Sequence, residues 1–539
     1  MTMVIRKSEL MKNKIKFLGL ILGLFTLLFV GCEDDIDPVI ENLNFDRVFT
    51  PINLEAQIRN KLTAELTWDL SDSASSYVVE ISHDSLEFNS IIKTVEVAPD
   101  EIPVSITLEG EEQYSARVKG VSSSLEESKW ATVVFETDAE NIFNTLADGS
   151  IGKTQVMVTW PESSEVTHFI ISTDGADDVR RDITEAEVAA GEATITGLAF
   201  GTDYGITMYN DPSPKQRGRV DFTTLPEGQT LTPDMDLNEA INTTFVDQDV
   251  FLLEAGEYSN YTGTLTLNRS IKLKGLSSED KPVVHVQFVL EDGVQNVEIA
   301  DLEMNGSYID PATSEAVILD HAFQYNTSGV NYGSLIVSGC KIHDYNKSLF
   351  SGSSSIKSKI ESISMDNCYV TNILTNSADC IDFRASYVGA LSLTNSTYVN
   401  CAPSRDFIRL DDTSEDYPGL VTDVLVDHCT LYGVSNSSSK RVLYVRFVDN
   451  TLTVTNTLIA ETVGFYTNQS RSSQPECSNN NYFNAGAFVP GGTDTSGALF
   501  DQTGNYTTLD PGFADAANGD FSITNQTLID NAVGDPRWR

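Results

Sequence analysis

Basic residues are scarce in this sequence: 35 lysines and arginines stand against 78 aspartates and glutamates, for a formal charge of −43. A chain that acidic excludes a nucleic-acid partner, because its own field repels phosphate. The excess negative charge is dispersed through Ser-, Thr- and Asn-rich segments, which describes a solvated surface and not a disordered acidic tail. Histidine is rarer still, with six in 539 residues. Cysteine occurs seven times, as Cys32, Cys340, Cys368, Cys380, Cys401, Cys429 and Cys477, and no pair has C-x-x-C or another metal-ligand spacing. That excludes a zinc centre, and no cofactor is expected. Long apolar runs are lacking except near the N-terminus.

That run reads KNKIK after Met11, then FLGLILGLFTLLFVG, then Cys32 and EDDID. A basic stretch, a short apolar run and a small residue before cysteine describe an export signal over residues 1–31, and the run is shorter than the ~20 residues a membrane span needs. With Phe29-Val30-Gly31 as a lipobox, the segment resembles a bacterial lipoprotein signal, and Glu33, Asp34 and Asp35 look like the surface-export tag of Bacteroidetes lipoproteins. The resemblance implies lipidation at Cys32, a lipidated linker over 32–44, and a chain held on the outer membrane at the cell surface. More than one acyl chain makes such an anchor stable.

Residues 45–137 contain AELTWDL, SSYVVEIS, QYSARVKGV and ATVVFET, short alternating strands separated by polar turns, which predicts a β-sandwich. A second copy over 142–225 contains VMVTWPE, HFIISTD, ITGLAFGTDYGITMY and GRVDFTT. With Trp68, Tyr77 and Tyr114 in the first copy and Trp160 and Tyr204 in the second, both resemble fibronectin type III domains. Their expected role is to space the remainder from the membrane.

From residue 228 the texture changes. VEIADLEM from Val297, LIVSGCKI from Leu335, ISMDNCYV from Ile363, LSLTNSTY from Leu391, VLVDHCTL from Val424 and LTVTNTLI from Leu452 repeat one octet six times, at intervals of 38, 28, 28, 33 and 28 residues. A strand-turn-strand unit recurring in this way predicts a solenoid in which each coil buries its apolar side against its neighbours. The opening segment, DLNEAIN followed by DVFLLEAGEYS and TGTLTLNRSIKLKGL, resembles the capping helix and first coil of pectate-lyase-like right-handed β-helices. The expected fold is therefore all-β: two fibronectin type III-like sandwiches followed by a right-handed parallel β-helix, pectin lyase-like, over 228–539.

The octet register predicts columns. Asn367, Asn395, His428 and Asn456, with Asp301 and Gly339 at the start, form an asparagine-ladder column that satisfies backbone groups at a corner, which makes His428 structural. Cys340, Cys368 and Cys429 fall in the next column with Ser396 and Thr457 as small core residues. A Cys340–Cys368 disulfide is the alternative that adjacent coils permit.

A further set of strands carries arginine: CIDFRAS, DFIRLDD and VLYVRFV, aligned with KSLFSGS. Placing Phe350, Phe383, Ile408 and Val445 in one inward column predicts by strict alternation an outward set: Asp382 with Arg384, Phe407 with Arg409 and Asp411, and Tyr444 with Arg446. Coils about 4.8 Å apart, near the pitch of one sugar residue, would line up the three arginines over roughly 10 Å. Guanidinium groups bind carboxylates bidentately, and Phe407 and Tyr444 offer flat faces for pyranose rings. Arg405, Lys440 and Arg441 could thicken the strip. The competing reading is a salt-bridge ladder using Asp382, Asp406, Asp411 and Asp449, worth about 0–1 kcal/mol per exposed pair.

Pectate-lyase-fold proteins include lyases, hydrolases and binders, so the fold does not choose among them. A lyase would need a base among Arg384, Arg409 and Arg446 and calcium on Asp379, Asp382 and Asp411. Arginine is a poor base, and the pectate lyase R-x-P-x-x-R pattern is absent. For a galacturonase-like hydrolase with Asp379 and Asp382 as acids, the G-H-G and R-I-K motifs are absent. A structural adhesin is the third class. Anchor, two sandwiches and a terminal platform resemble the layout of surface glycan-binding proteins in Bacteroidetes polysaccharide-uptake systems, and CIDFRAS, DFIRLDD and VGDPRWR look like the uncharacterised β-helix families found with them. The expectation is a lipoprotein that binds an acidic, uronic-acid-containing polysaccharide beside an outer-membrane glycan transporter complex, with a polysaccharide lyase as the alternative.

Overall fold

The computed structural model describes residues 46–212, 215–493 and 497–539. The export signal, Cys32 and the linker to residue 44 lie outside these residues. The chain divides into two units, one of the residues up to Asn141 with Tyr209–Gly218, the other of Ile142–Met208 with Arg219–Arg539.

The first unit is a β-sandwich. One sheet orders Ile52–Arg59, Thr63–Asp69 and Val104–Thr107; the other orders Ile91–Val97, Ser76–Ser82, Gln113–Val121 and Ala131–Glu136. Alternation sends Leu66, Trp68, Tyr77, Val79, Tyr114 and Val118 into one core, where Trp68 and Tyr77 meet edge-on at 5.3 Å. The Tyr114 hydroxyl accepts the Glu109 N–H at 3.1 Å, tying the end of its strand to the turn before it.

The second sandwich repeats this scheme. Gln155–Thr159 pairs with Glu192–Thr196, and a four-stranded sheet orders Val179–Asp182, His168–Ser172, Asp203–Tyr209 and Gln216–Thr223. Trp160 packs on Phe169 at 5.7 Å, and Tyr204 accepts the Ala199 N–H at 3.0 Å, again five residues upstream. Both modules are fibronectin type III-like sandwiches.

The remainder is a parallel β-helix. Ten parallel strands, from Gln229–Leu231 to Glu476–Ser478, form one sheet. A second sheet divides at Val283–Leu290, which pairs through Val284 with Glu303–Asn305 and through Phe288 with His321–Tyr325. Each coil thus has three sides, with an apolar interior in which Phe288, Phe323 and Phe350 stack at 5.4 and 5.3 Å. Leu237 and Ile241 of the short helical segment at the start are buried in this interior.

The corner after the long strand explains the asparagine column. Asp301, Asn367, Asn395, His428, Asn456 and Asn479 all have φ between 47° and 56°, and Gly339 has φ 60°. Asn, Asp and Gly tolerate this left-handed conformation best, and each corner turns the chain without breaking the ladder. The N–H of Asn367, Asn395 and His428 donates to the carbonyl of Thr394, Asp427 and Thr455 in the next coil. The side chains do something the ladder reading did not foresee: Asn395 and Asn456 donate Nδ2 to the carboxylates of Asp366 and Asp427, at 2.8 and 2.9 Å. His428 sits at the same corner with Nδ1 at 2.8 Å from Asp427, a structural position. Cys340, Cys368 and Cys429 are buried in the next column as free thiols, so the Cys340–Cys368 disulfide is not formed.

The last residues fold back over one side of the helix. Gly534 donates its N–H to Asn456 O at 2.7 Å, Asp535 accepts from Thr397 at 2.7 Å, and Arg537 donates to Asn367 O at 2.8 Å. VGDPRWR is therefore a clasp across successive coils, with the Trp538 indole donating to Thr397 at 2.8 Å.

Candidate site on the arginine side of the helix

Three short strands build the site: Ile381–Phe383, Ile408–Leu410 and Leu443–Val445. Their register differs from the one sequence alignment predicts. Asp382 lies beside Arg409 and Arg409 beside Tyr444, while Phe383, Leu410 and Val445 form the inward column and Phe350 pairs with Ile381. The three arginines are therefore not one column. Arg409 stands two residues out of step with Arg384 and Arg446, and the even shift leaves all three on the outer side.

Phe407 is corrected more strongly. It is fully buried, 5.2 Å from Tyr398 in the core, and offers no face to a ligand. The chain bends just before each strand, so two successive residues enter the core: Cys380 and Ile381, Phe407 and Ile408, Val442 and Leu443. Strict alternation fails there, and the outward positions form three rows: Asp379, Asp382, Arg384; Asp406, Arg409, Asp411; Arg441, Tyr444, Arg446.

Within this array acid and base interleave. Arg384 grips Asp382 through Nε and Nη2 at 2.8 and 2.7 Å, and Arg409 grips Asp411 at 3.1 and 2.8 Å. Arg441 holds Asp406 through the same two nitrogens, both at 2.9 Å. Asp379 accepts from Arg405 Nε at 3.1 Å, Arg409 Nη1 at 3.2 Å, Arg384 Nη2 at 3.4 Å and the Asp406 N–H at 3.1 Å. A carboxylate so deep is tolerable only when several cations and hydrogen bonds replace its water. Asp412 and Arg471, which the sequence reading did not single out, add a further pair.

The array is layered by sign. Side-chain exposure is 0% for Asp379, 3% for Asp406 and 7% for Asp382, against 30% for Arg384 and 36% for Arg446. Asp379, Asp382 and Asp406 are thus sunk beneath the more exposed Arg384 and Arg446, whereas Asp411 and Arg441 are equally exposed at 16%. Tyr444 is enclosed by guanidinium carbons of Arg441, Arg409 and Arg446 at 4.3, 5.0 and 5.7 Å from its ring centre, so it acts first as a platform for cations. The salt-bridge ladder and the outward strip are thus two layers of one arrangement.

The electrostatics bear on chemistry. Hydrogen bonding to Asp382 is the main cause holding the Arg384 proton above the usual arginine range, against the opposing effect of burial. For Arg409 burial is the largest effect and pulls downward, but the bonds and charges of Asp411 and Asp379 together push it up. Neither guanidinium is available as a general base. The donor set also does not fit calcium: the carboxylates of Asp379, Asp382 and Asp411 are bound by guanidinium groups, and among the described residues no group of three or more His, Cys, Asp or Glu is arranged to hold a metal ion.

Two insertions flank the helix. The hairpin of Ser307–Ile309 and Ala316–Ile318 lies by His285, whose Nδ1 is 2.8 Å from Ser307 O, at the Val283–Leu290 strand. The segment from Thr413 to Gly419 is held by Lys357 Nζ to Asp416 at 2.8 Å and by Tyr417 at 5.6 Å from Tyr387. His321, unmarked in the sequence reading, lies on the arginine side of the sheet, two strands from Ile381–Phe383, with a buried Nδ1 that has no hydrogen-bond partner among the described residues.

Two family models match, and both fall in the β-helix. One, described as a domain of unknown function (DUF4957), matches residues 256–401; the other, a domain of unknown function (DUF5123), matches 424–538. No curated protein matches. Among solved structures the chain is similar to a two fibronectin type III domain segment from chicken tenascin, at 13% identity and TM-score 0.22, covering 32% of this chain and 98% of that one. It is also similar to the FN1–FN3 domains of chicken CNTN1, at 17% identity, TM-score 0.15, and 33% and 65% coverage. A central fibronectin III array of RIM-binding protein aligns at 20% identity and TM-score 0.15, covering 35% of this chain and 65% of that one.

Proposed function

We propose that the protein binds an acidic, uronic-acid-containing polysaccharide along the Arg384–Arg409–Arg446 side of a pectate-lyase-like β-helix, without cleaving it. The observation that carries this reading is the layering of the array: in a chain of charge −43, this side turns guanidinium edges outward over buried carboxylates. Such a layer is rigid before the ligand arrives, so little ordering is required on binding. Coils repeat at about 4.8 Å, so Arg384 and Arg446, in one column with Asp411 between them, stand roughly 10 Å apart along the helix axis with Arg409 beside them in the next column, a spacing an extended glycan can follow. Lipidation at Cys32 would hold this surface outside the cell, with the two sandwiches as spacers and a glycan transporter in the outer membrane as the partner.

A lyase is the less favoured reading, because Arg384 and Arg409 hold their protons too tightly to act as base. The test uses the purified protein on polygalacturonate and alginate, with and without calcium, recording gel retardation and the absorbance of unsaturated uronate together. Retardation with no new absorbance is expected. New absorbance would make the protein a lyase, and no response across a panel of acidic glycans would leave the array as a structural device of a stalk.

A further inference from the structure

The arginines of the array differ in what they have left to offer. Arg384, Arg409 and Arg441 each spend the Nε/Nη2 edge, the side of the guanidinium that matches a carboxylate, on an internal aspartate. Arg405 spends the same edge on Asp379 at 3.1 and 3.4 Å. Arg446 does not: its Nη1 donates to the Tyr444 hydroxyl at 3.2 Å and lies 3.7 Å from Asp411, while its Nε and Nη2 make no hydrogen bond among the described residues. It is also more exposed than Arg384, Arg405, Arg409 or Arg441, and its strand, Leu443–Val445, ends this side of the sheet.

We propose that Arg446 is the anchor and specificity-determining residue of the site, taking one ligand carboxylate in a bidentate grip on its free Nε/Nη2 edge while the other arginines position it. This rests on the glycan-binding reading above and narrows it: the required group is a planar carboxylate at the Arg446 end, with the rest of the chain held by single N–H contacts from Arg384 and Arg405, whose Nη1 groups remain unbonded among the described residues. Tyr444 fixes the guanidinium plane through its hydroxyl, and Asp411 at 3.7 Å is too distant to occupy the free edge.

The experiment measures affinity for oligogalacturonate in native protein, Arg446→Lys and Arg446→Ala, with thermal unfolding of each as the check on folding. Lysine keeps the charge but has no fork, so Arg446→Lys is expected to lose about tenfold or more in affinity, nearly as much as Arg446→Ala, at unchanged folding. Carboxyl-reduced oligosaccharide is expected to bind native protein no better than oligogalacturonate binds Arg446→Lys. If Arg446→Lys binds like native protein, the anchor assignment fails while the glycan-binding reading stands. If dextran sulfate displaces oligogalacturonate at equal charge, the carboxylate assignment is overturned. Failure of native protein to bind any acidic glycan overturns both.

Discussion

His321 shows how much one side chain on this surface depends on its surroundings. Burial is the main cause that lowers its pKa from 6.5 to about 4, with Asp320 and Asp382 offsetting only part of the effect. A histidine with a depressed folded pKa binds its proton more readily in the unfolded chain, so stability falls as pH drops from about 6.5 towards 4, by roughly 3 kcal/mol at most. The carboxylates with depressed values, such as Glu303 and Asp427, lose their contribution only at lower pH, near and below their ordinary range. Urea unfolding at pH 7 and pH 5 should therefore show a loss that His321→Gln largely removes. An equal loss in the variant would contradict this account. Neither His321 nor the depth of Asp379 was legible in the sequence, because both depend on which coil stacks on which.

Among elements, the long strand and its corner were legible and the arginine strands only partly so. The octet repeats because each corner needs a residue that accepts left-handed geometry, and that requirement writes Asn, Asp, Gly or His at one position. The arginine strands are three residues long and follow a bend where two residues turn inward, so a period-2 pattern is too short to fix register. Phe407 was misplaced for that reason, whereas Arg384, Arg409 and Arg446 stayed on the outer side because the error was an even number of residues. The corner can be tested at Asn395, with φ 47° and a side-chain bond to Asp366. Asn395→Ala should cost about 1–2 kcal/mol in urea unfolding and Asn395→Gly clearly less, since glycine relieves the backbone strain but not the lost bond. Equal losses would mean that the conformation contributes nothing.

For the whole molecule, the sequence foretold two sandwiches and a solenoid because apolar periodicity and repeat length are global signals. Charge layering was not foretold, since composition counts aspartates without saying which lie beneath arginines. The proposed function requires an acidic glycan to lie on the arginine side of the helix. Amide hydrogen exchange of the full protein with and without oligogalacturonate tests it most directly. Added protection is expected in the segments around Ile381–Phe383, Ile408–Leu410 and Leu443–Val445 and in the bends that precede them, and not elsewhere. Protection in the sandwiches instead, or none at ligand concentrations that retard the protein in gels, would contradict it.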